Sequence, residues 1–424
     1  MESPVACPPG LAEECPSHRV VAAATLVAVA LLCAPVSAQC QYQVTATQGQ
    51  VPCGCWFCFP SSFHPHCISS AGTWCGERDE CDPRSYGRIP LVWHPSTGVS
   101  ELPLPPGIDT GVALGINAAG DVVGWFEASQ QPQTACVWQG GVFSVLPLGP
   151  RGVTSRANAI NDDGIVVGWR IAGGGGGAPC IWSGGAVTDI NTAPFSSGEA
   201  ACISNSGYVT GWVGSYVQNG RGFRWVDGIV THLQPLPGGL AAFSSAVNNL
   251  GWCVGGSRMP GGPPNPGWRS YPTLWVADQA IPLGLPNGYA AGTAYGISDE
   301  GVILGYVYGP TVPGIPYSRY IIWVDGSPFD PKTLIAGGSG LFSTAQWINA
   351  SGQMVGRAGT EVWILTPTPA LTGDLTGDCR VDGLDLALML SAWGSDDTRC
   401  DLTDDGIVDG QDLGLLLGSW SVAP

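Results

Sequence analysis

One phrase recurs six times in this 424-residue chain, and a phrase repeated at near-constant spacing limits the fold to architectures built from equal units. The copies run Gly115–Gly124 (GINAAGDVVG), Ile160–Gly168 (INDDGIVVG), Ile203–Gly211 (ISNSGYVTG), Val247–Gly255 (VNNLGWCVG), Ile297–Gly305 (ISDEGVILG) and Ile348–Gly356 (INASGQMVG). Their closing glycines lie 44, 43, 44, 50 and 51 residues apart. Each phrase reads as a tight β-hairpin. The Asn-x-x-Gly core is turn chemistry, with Gly supplying positive φ and Asn or Ser bonding its own backbone. The β-branched run that follows is a strand.

A second marker follows each phrase: Val137-Trp138, Ile181-Trp182, Arg224-Trp225, Leu274-Trp275, Ile322-Trp323 and Val362-Trp363. After most of these comes a Gly-containing turn and another short apolar strand. About four strands per repeat is the size of a propeller blade. A single blade cannot bury both its faces, so blades stacked in a ring are expected, with the recurring Trp filling the gaps between them. A further Trp strand, Leu91-Val92-Trp93, precedes the first full repeat without an Asn-x-x-Gly hairpin of its own. It either completes the last blade or belongs to a degenerate seventh blade that draws on the segment before it, so six and seven blades both remain open. A solenoid of hairpins is the rival.

Composition excludes other classes. With 63 Gly and 36 Pro, long helical bundles are disfavoured. Sixteen Lys and Arg against 33 acidic residues leave no basic stripe for nucleic acid. A hydrophobic fraction of 44% with 17 Trp is enough to build a core.

The ends differ from the middle. Residues 1–38 read as an export signal: an apolar run from Val20 to Leu32 follows His18 and Arg19, and Val36-Ser37-Ala38 offers small residues for cleavage. That run is short for a membrane span, so a secreted or cell-surface protein with no membrane span is expected. Residues 39–88 hold Cys40, Cys53, Cys55, Cys58, Cys67, Cys75 and Cys81. In an exported protein this density reads as a disulfide-stapled segment. Zinc, bound by Cys55 and Cys58 with His64, His66 or Cys67, is the sharper alternative, and a redox pair, Cys55 and Cys58, a third. Cys136 and Cys180 occupy equivalent repeat positions and read as small buried apolar side chains.

Beyond Pro367 and Pro369 the composition shifts. From Leu371 onward there are eleven Asp, no Glu and two Arg. The carboxylates fall on two 12-residue grids that begin 27 residues apart, at Asp374 and Asp401. Calcium takes six to eight hard oxygens, and this spacing wraps them around one ion. Loop one offers Asp374, Thr376, Asp378, the Arg380 carbonyl, Asp382 and Asp385. Loop two offers Asp401, Thr403, Asp405, the Ile407 carbonyl, Asp409 and Asp412. Two calcium ions are expected. Cys379 stands where loop two keeps the turn glycine Gly406, so loop one is the weaker site. An apolar helix follows each loop, over Asp385–Trp393 and Asp412–Trp420, and the two helices are expected to pack on each other. Cys379 and Cys400 sit at loop edges and are candidates for a bridge.

The central phrase and its Trp strand, over residues 89–366, resemble the HAF repeats of secreted bacterial proteins. That resemblance implies extracellular repeats and no particular chemistry. The duplicated loop and helix of residues 367–424 are similar to a type I dockerin domain. Dockerins bind cohesin modules and attach secreted proteins to extracellular, often polysaccharide-degrading, assemblies. The partner-reading positions of that family fall here on Gly383-Leu384 and Gly410-Gln411, which lack the hydroxyl pairs often found there, so a cohesin-like module or another cell-surface component is the implied partner. The fold class expected is mainly β: a propeller-like repeat domain of four-stranded blades plus a small helical calcium-binding domain.

Catalysis is poorly supplied. Acidic residues on hairpin tips, such as Asp162, Asp163 and Asp299, read as turn chemistry. A glycosidase needs two carboxylates facing one pocket, and Glu127, Asp189 and Glu199 share no motif that places them together. The expected function is therefore non-catalytic binding, with a component of polysaccharide degradation, bound to polysaccharide or hydrolysing O-glycosyl bonds, as the alternative.

Overall fold

The computed structural model describes residues 42–48, 63–79, 87–128, 131–173, 175–215, 219–260, 267–334, 344–358, 361–367, 373–375, 381 and 383–420. The export signal lies outside them, as do Cys40, Cys53, Cys55, Cys58, Cys81 and Cys379, and the loop-one positions Thr376, Asp378, Arg380 and Asp382.

Seven four-stranded antiparallel sheets follow one another as the blades of a β-propeller. Their innermost strands are Phe63–Ile68, Thr110–Ile116, Gly152–Ile160, Gly198–Ile203, Ala241–Val247, Tyr289–Ile297 and Thr344–Ile348, for blades one to seven. Blades one to six take their four strands consecutively. Blade seven takes its outermost strand, Tyr42–Gln48, from the other end of the repeat region, paired with Glu361–Pro367. The ring therefore closes on a strand that precedes blade one. Seven blades decide between the two counts left open above.

Leu91-Val92-Trp93 lies on the third strand of blade one, and that blade has a hairpin of its own. Ile68-Ser69-Ser70-Ala71-Gly72-Thr73-Trp74-Cys75-Gly76 is a seventh copy of the phrase, with Ser for Asn and Trp-Cys for the Val-Val pair. Much of the cysteine-dense segment is thus a blade with its own core, where Phe63, Trp74 and Leu91 are buried. Cys67 and Cys75 face each other across its first hairpin as free thiols, so the expected disulfide staple is not found at these two positions. Cys136 and Cys180 are free and fully buried, and Cys400 is a free thiol as well.

The phrase folds alike in all seven blades. The turn glycine has φ between +74° and +84° in every copy, a region that side chains with a Cβ avoid. The Asn or Ser side chain accepts from the backbone N–H four residues on, as in Asp121 N to Asn117 Oδ1 at 2.8 Å and Val302 N to Ser298 Oγ at 3.1 Å. The closing glycine has a different cause. A Cβ on Gly124, Gly168 or Gly211 would lie 1.9–2.0 Å from the carbonyl oxygen of Val112, Arg156 or Glu199 on the inner strand. No side chain fits there.

Each gap between blades holds one hydrophobic cluster that mixes residues of both neighbours. The recurring Trp sits there: Trp138, Trp275 and Trp323 are fully buried. Its indole N–H donates to the chain entering the blade, at Pro103 O (2.7 Å), Pro147 O (2.8 Å), Gln234 O (2.7 Å) and Gly284 O (2.6 Å) for Trp138, Trp182, Trp275 and Trp323. A buried indole without that acceptor would carry the desolvation cost of an unpaired donor.

Two short helices follow the propeller, α1 at Gly383–Ser391 and α2 at Gly410–Gly418. They begin two residues earlier than the sequence pattern suggests. Val381, Met389, Cys400, Val408 and Leu416 form their shared core. Val381 with Val408 and Met389 with Leu416 are related by the same 27-residue offset as the loops.

Candidate functional site

Every innermost strand carries a β-bulge at the same place, and that of blade three has a second irregularity near its start, between Gly152 and Thr154. At the shared place the register skips His66, Leu114, Asn158 and Ala201 in blades one to four. In blades five to seven it skips Ser245, Tyr295 and Gln346. A bulge leaves one residue out of the ladder and re-aims its side chain. Six of these seven residues line the channel on the ring axis.

The channel widens at the end away from the Asn-x-x-Gly hairpins. The cavity there is about 370 Å³, within the range of about 300–1,000 Å³ usual for small-molecule sites. Tyr295 and Trp347 wall one flank, with ring centroids 6.4 Å apart. Their polar atoms are engaged, the Tyr295 hydroxyl on Ala345 O (2.6 Å) and the Trp347 indole on Pro65 O (2.8 Å), so they present ring faces rather than spare donors. Arg156, Asn158 and Glu199 come from blades three and four. Asn158 donates to Ala200 O (2.8 Å), and Glu199 accepts from the Trp212 indole (3.1 Å). His66 lies 3.2 Å from Glu77, with Arg88 at 3.6 Å on that carboxylate's other oxygen. Burial opposes the charge of Glu77, but the hydrogen bond and charge of His66 and the charges of Arg88 and His64 outweigh it and hold its pKa below the ordinary value. Burial lowers the Arg156 pKa against the opposing pull of Glu199 and Glu77.

Two buried polar atoms that line this cavity have no hydrogen-bond partner among the described residues, Arg156 Nε and Asn158 Oδ1, and Gln346 Oε1 on the bulge of blade seven is a third. Buried polar atoms are ordinarily paired, so unpaired ones gathered around one cavity call for an explanation.

The hairpin tips have a structural role. Asn117, Asn161, Asn248 and Asn349 each donate to the carbonyl of the equivalent residue in the next blade, with Asn349 reaching Ser69 O (2.7 Å) across the ring closure. Asp162 and Asp299 accept from the preceding blade's backbone at Ala118 (2.7 Å) and Asn249 (2.8 Å). Asp189 is held by Arg170 through two bonds of 2.7 and 2.8 Å. Of the three carboxylates considered for glycosidase chemistry, Glu199 alone lines the cavity.

Loop two is ordered around its carboxylates. Asp412 is fully buried. One of its oxygens accepts from Leu402 N (2.8 Å), Thr403 N (3.0 Å) and Thr403 Oγ1 (3.1 Å), the other from Asp409 N (2.8 Å). These bonds, that from Asp409 foremost, lower its pKa. Asp401 accepts from Asp405 N (3.2 Å) and Gly406 N (2.7 Å), while Asp405 accepts from Ile407 N (3.1 Å). Asp385, the loop-one equivalent of Asp412, is likewise fully buried and accepts from Leu375 N (2.9 Å), the counterpart of Leu402. The donor chemistry suits a hard cation. Among the described residues, however, no three Asp, Glu, His or Cys side chains converge on one point, because the carboxylates turn towards backbone N–H groups.

No protein family's profile matches the chain, and no curated protein matches it. Among solved structures it is similar to TolB from Acinetobacter baumannii, at 14% identity and a TM-score of 0.37, covering 52% of this chain and 54% of that one. It is also similar to a structure from work on two prolyl endopeptidases, at 12% identity and a TM-score of 0.46, covering 85% and 57%. A third is the β-propeller domain of the Trilobed protease from Pyrococcus furiosus, at 10% identity and a TM-score of 0.45, covering 72% and 94%. The chain spans little more than half the length of the first two.

Proposed function

We propose that this is a secreted or cell-surface binding protein, non-catalytic, whose propeller presents the axial cavity to a ligand and whose C-terminal repeat is a calcium-dependent attachment module of dockerin type. The observation that carries the reading is the pair of buried, equivalent carboxylates Asp385 and Asp412, each gathered by the backbone of its own loop at a 27-residue offset. Asp401, Thr403, Asp405, the Ile407 carbonyl, Asp409 and Asp412 would hold one calcium ion, and their counterparts from Asp374 to Asp385 a second. Bound calcium would neutralise the carboxylates and fix the angle between the two helices. Exposed Leu384, Leu417, Trp393 and Trp420 support a protein partner for this module, a cohesin-like module or a cell-surface component.

The alternative, a hydrolase of O-glycosyl bonds within polysaccharide degradation, rests on Glu199 at the cavity and needs a second carboxylate facing it. Calcium titration of the exported chain by calorimetry tests the attachment module. Two bound ions are expected, falling to one in Asp412→Ala. Absence of binding at millimolar calcium would remove the attachment reading.

A further inference from the structure

The seven inner strands are not equally variable along their length. Aligned on the bulge, the residue before it is small in most blades: Ala113, Ala157, Ala200, Ser244, Ala294 and Ala345. Two residues after it stands Ile or Val, and next comes the Asn or Ser of the hairpin. These positions build the ring. The bulge position follows no such rule. It holds an imidazole, an isobutyl, an amide, a methyl, a hydroxyl, a phenol and a second amide in turn, from His66 to Gln346. Two residues before the bulge the chain is as varied, with Arg156, Glu199 and Phe243 in consecutive blades, and these three line the same cavity. Variation is thus concentrated where the frame places side chains at the axis.

We infer that this ring of bulge residues is the reading surface of the protein, and that it takes a neutral hydroxylated ring, a sugar residue of a glycan, in the axial cavity. The inference rests on the binding function proposed above and names its ligand class. Three observations converge on it. First, the unpartnered atoms are mixed in kind: Arg156 Nε is a donor, and Asn158 Oδ1 and Gln346 Oε1 are acceptors. A hydroxyl both donates and accepts, so several hydroxyls on one ring can meet such a set. Second, opposite charges of the mouth already face one another within the protein: the charges of Glu199 and Glu77 act on Arg156, and Glu77 lies 3.6 Å from Arg88. A charged ligand would upset this balance, whereas a neutral one would not. Third, Tyr295 and Trp347 supply apolar ring faces from blades six and seven, while Arg156 and Asn158 come from blade three. A ligand with an apolar C–H face and a polar rim fits between such walls.

The test uses the full exported chain on an array of neutral, acidic and amino-substituted oligosaccharides and unmodified peptides, in calcium and in chelator. Retention of one or more neutral glycans in both conditions is expected. Asn158→Ala, which removes an unpaired acceptor, should weaken binding about tenfold, in line with the roughly 1–3 kcal/mol of a hydrogen bond left unmade. Ala201→Trp enlarges a small side chain that lines the cavity and should abolish binding. Melting temperatures close to the parent's would show that neither variant acts by unfolding. Binding unaffected by both variants would place the ligand elsewhere and overturn the inference, as would an array silent for neutral glycans, or one that retains only acidic glycans or peptides. Loss of the calcium response alone would remove the attachment module and leave this site standing. Hydrolysis of a retained glycan would remove the non-catalytic reading and leave the site standing as well.

Discussion

At the scale of single residues, the closing glycines and the recurring tryptophans are the most constrained. Gly168 faces the Arg156 carbonyl so closely that any Cβ would force the inner strand and its bulge aside. Gly168→Ala is expected to destabilise the protein by about 1–3 kcal/mol or more, measured by denaturant unfolding, since overpacking in a rigid sheet has little room to relax. Trp138→Phe keeps most of the buried ring but orphans the Pro103 carbonyl, with an expected cost of about 1–3 kcal/mol. Burial also governs the thiols. It pushes the Cys253 pKa up to about 12 and that of Cys67 to about 11, and raises those of Cys136 and Cys180 further. None should react with iodoacetamide at neutral pH in the folded protein, and all should react once it is denatured, which mass spectrometry of alkylated peptides reads directly. Labelling of Cys253 in the native protein would contradict the packing of its cluster.

At the scale of the element, the hairpin is both a turn and a link between blades. Asn161 closes its own turn through Ile165 N (2.9 Å) and reaches Ser204 O in the next blade (3.4 Å). Asn161→Ser keeps the first bond in the manner of Ser204 and loses the second, so it should cost less than Asn161→Ala, which loses both. Equal losses in unfolding free energy would show that the link between blades carries all of the effect. On the second strand of blade one, Glu77 couples the blade to the cavity. Its pKa is depressed in the folded protein, so its contribution is present above the unfolded carboxyl value of about 4.3 and is lost as pH falls through the lower folded value. Thermal unfolding followed from pH 6 to pH 3 should therefore fall less steeply in Glu77→Gln than in the parent. An identical slope would mean that the His66 and Arg88 contacts do not hold in solution.

At the scale of the whole molecule, closure depends on a strand outside the phrase. Tyr42–Gln48 covers the last blade, and its Tyr42 side chain is buried with Met354, Trp363 and Leu365. A chain beginning after Gln48 should melt at lower temperature and over a broader range, because blade seven would expose an unpaired edge and the ring would lose its lock. Scanning calorimetry checks this. An unchanged, single sharp transition would show that the contacts between blades one and seven suffice.

The repeated phrase, read alone, determined the blade, its hairpin, its Trp marker and the four-stranded unit, because turn chemistry and strand period are local and each copy repeats them. The two acidic loops likewise marked the terminal helices, through the apolar run that follows each. Three features were decided only by the tertiary structure. The first hairpin was masked because Trp74-Cys75 stands where most copies carry a β-branched pair, yet the same backbone register recurs there. The closing strand Tyr42–Gln48 has no repeat signature, and its partner lies more than 300 residues away. The axial cavity is the third. His66, Asn158 and Tyr295 are more than 90 residues apart and look unremarkable in sequence. They share one cavity only because each strand bulges at the same step and the ring brings those bulges to a common axis.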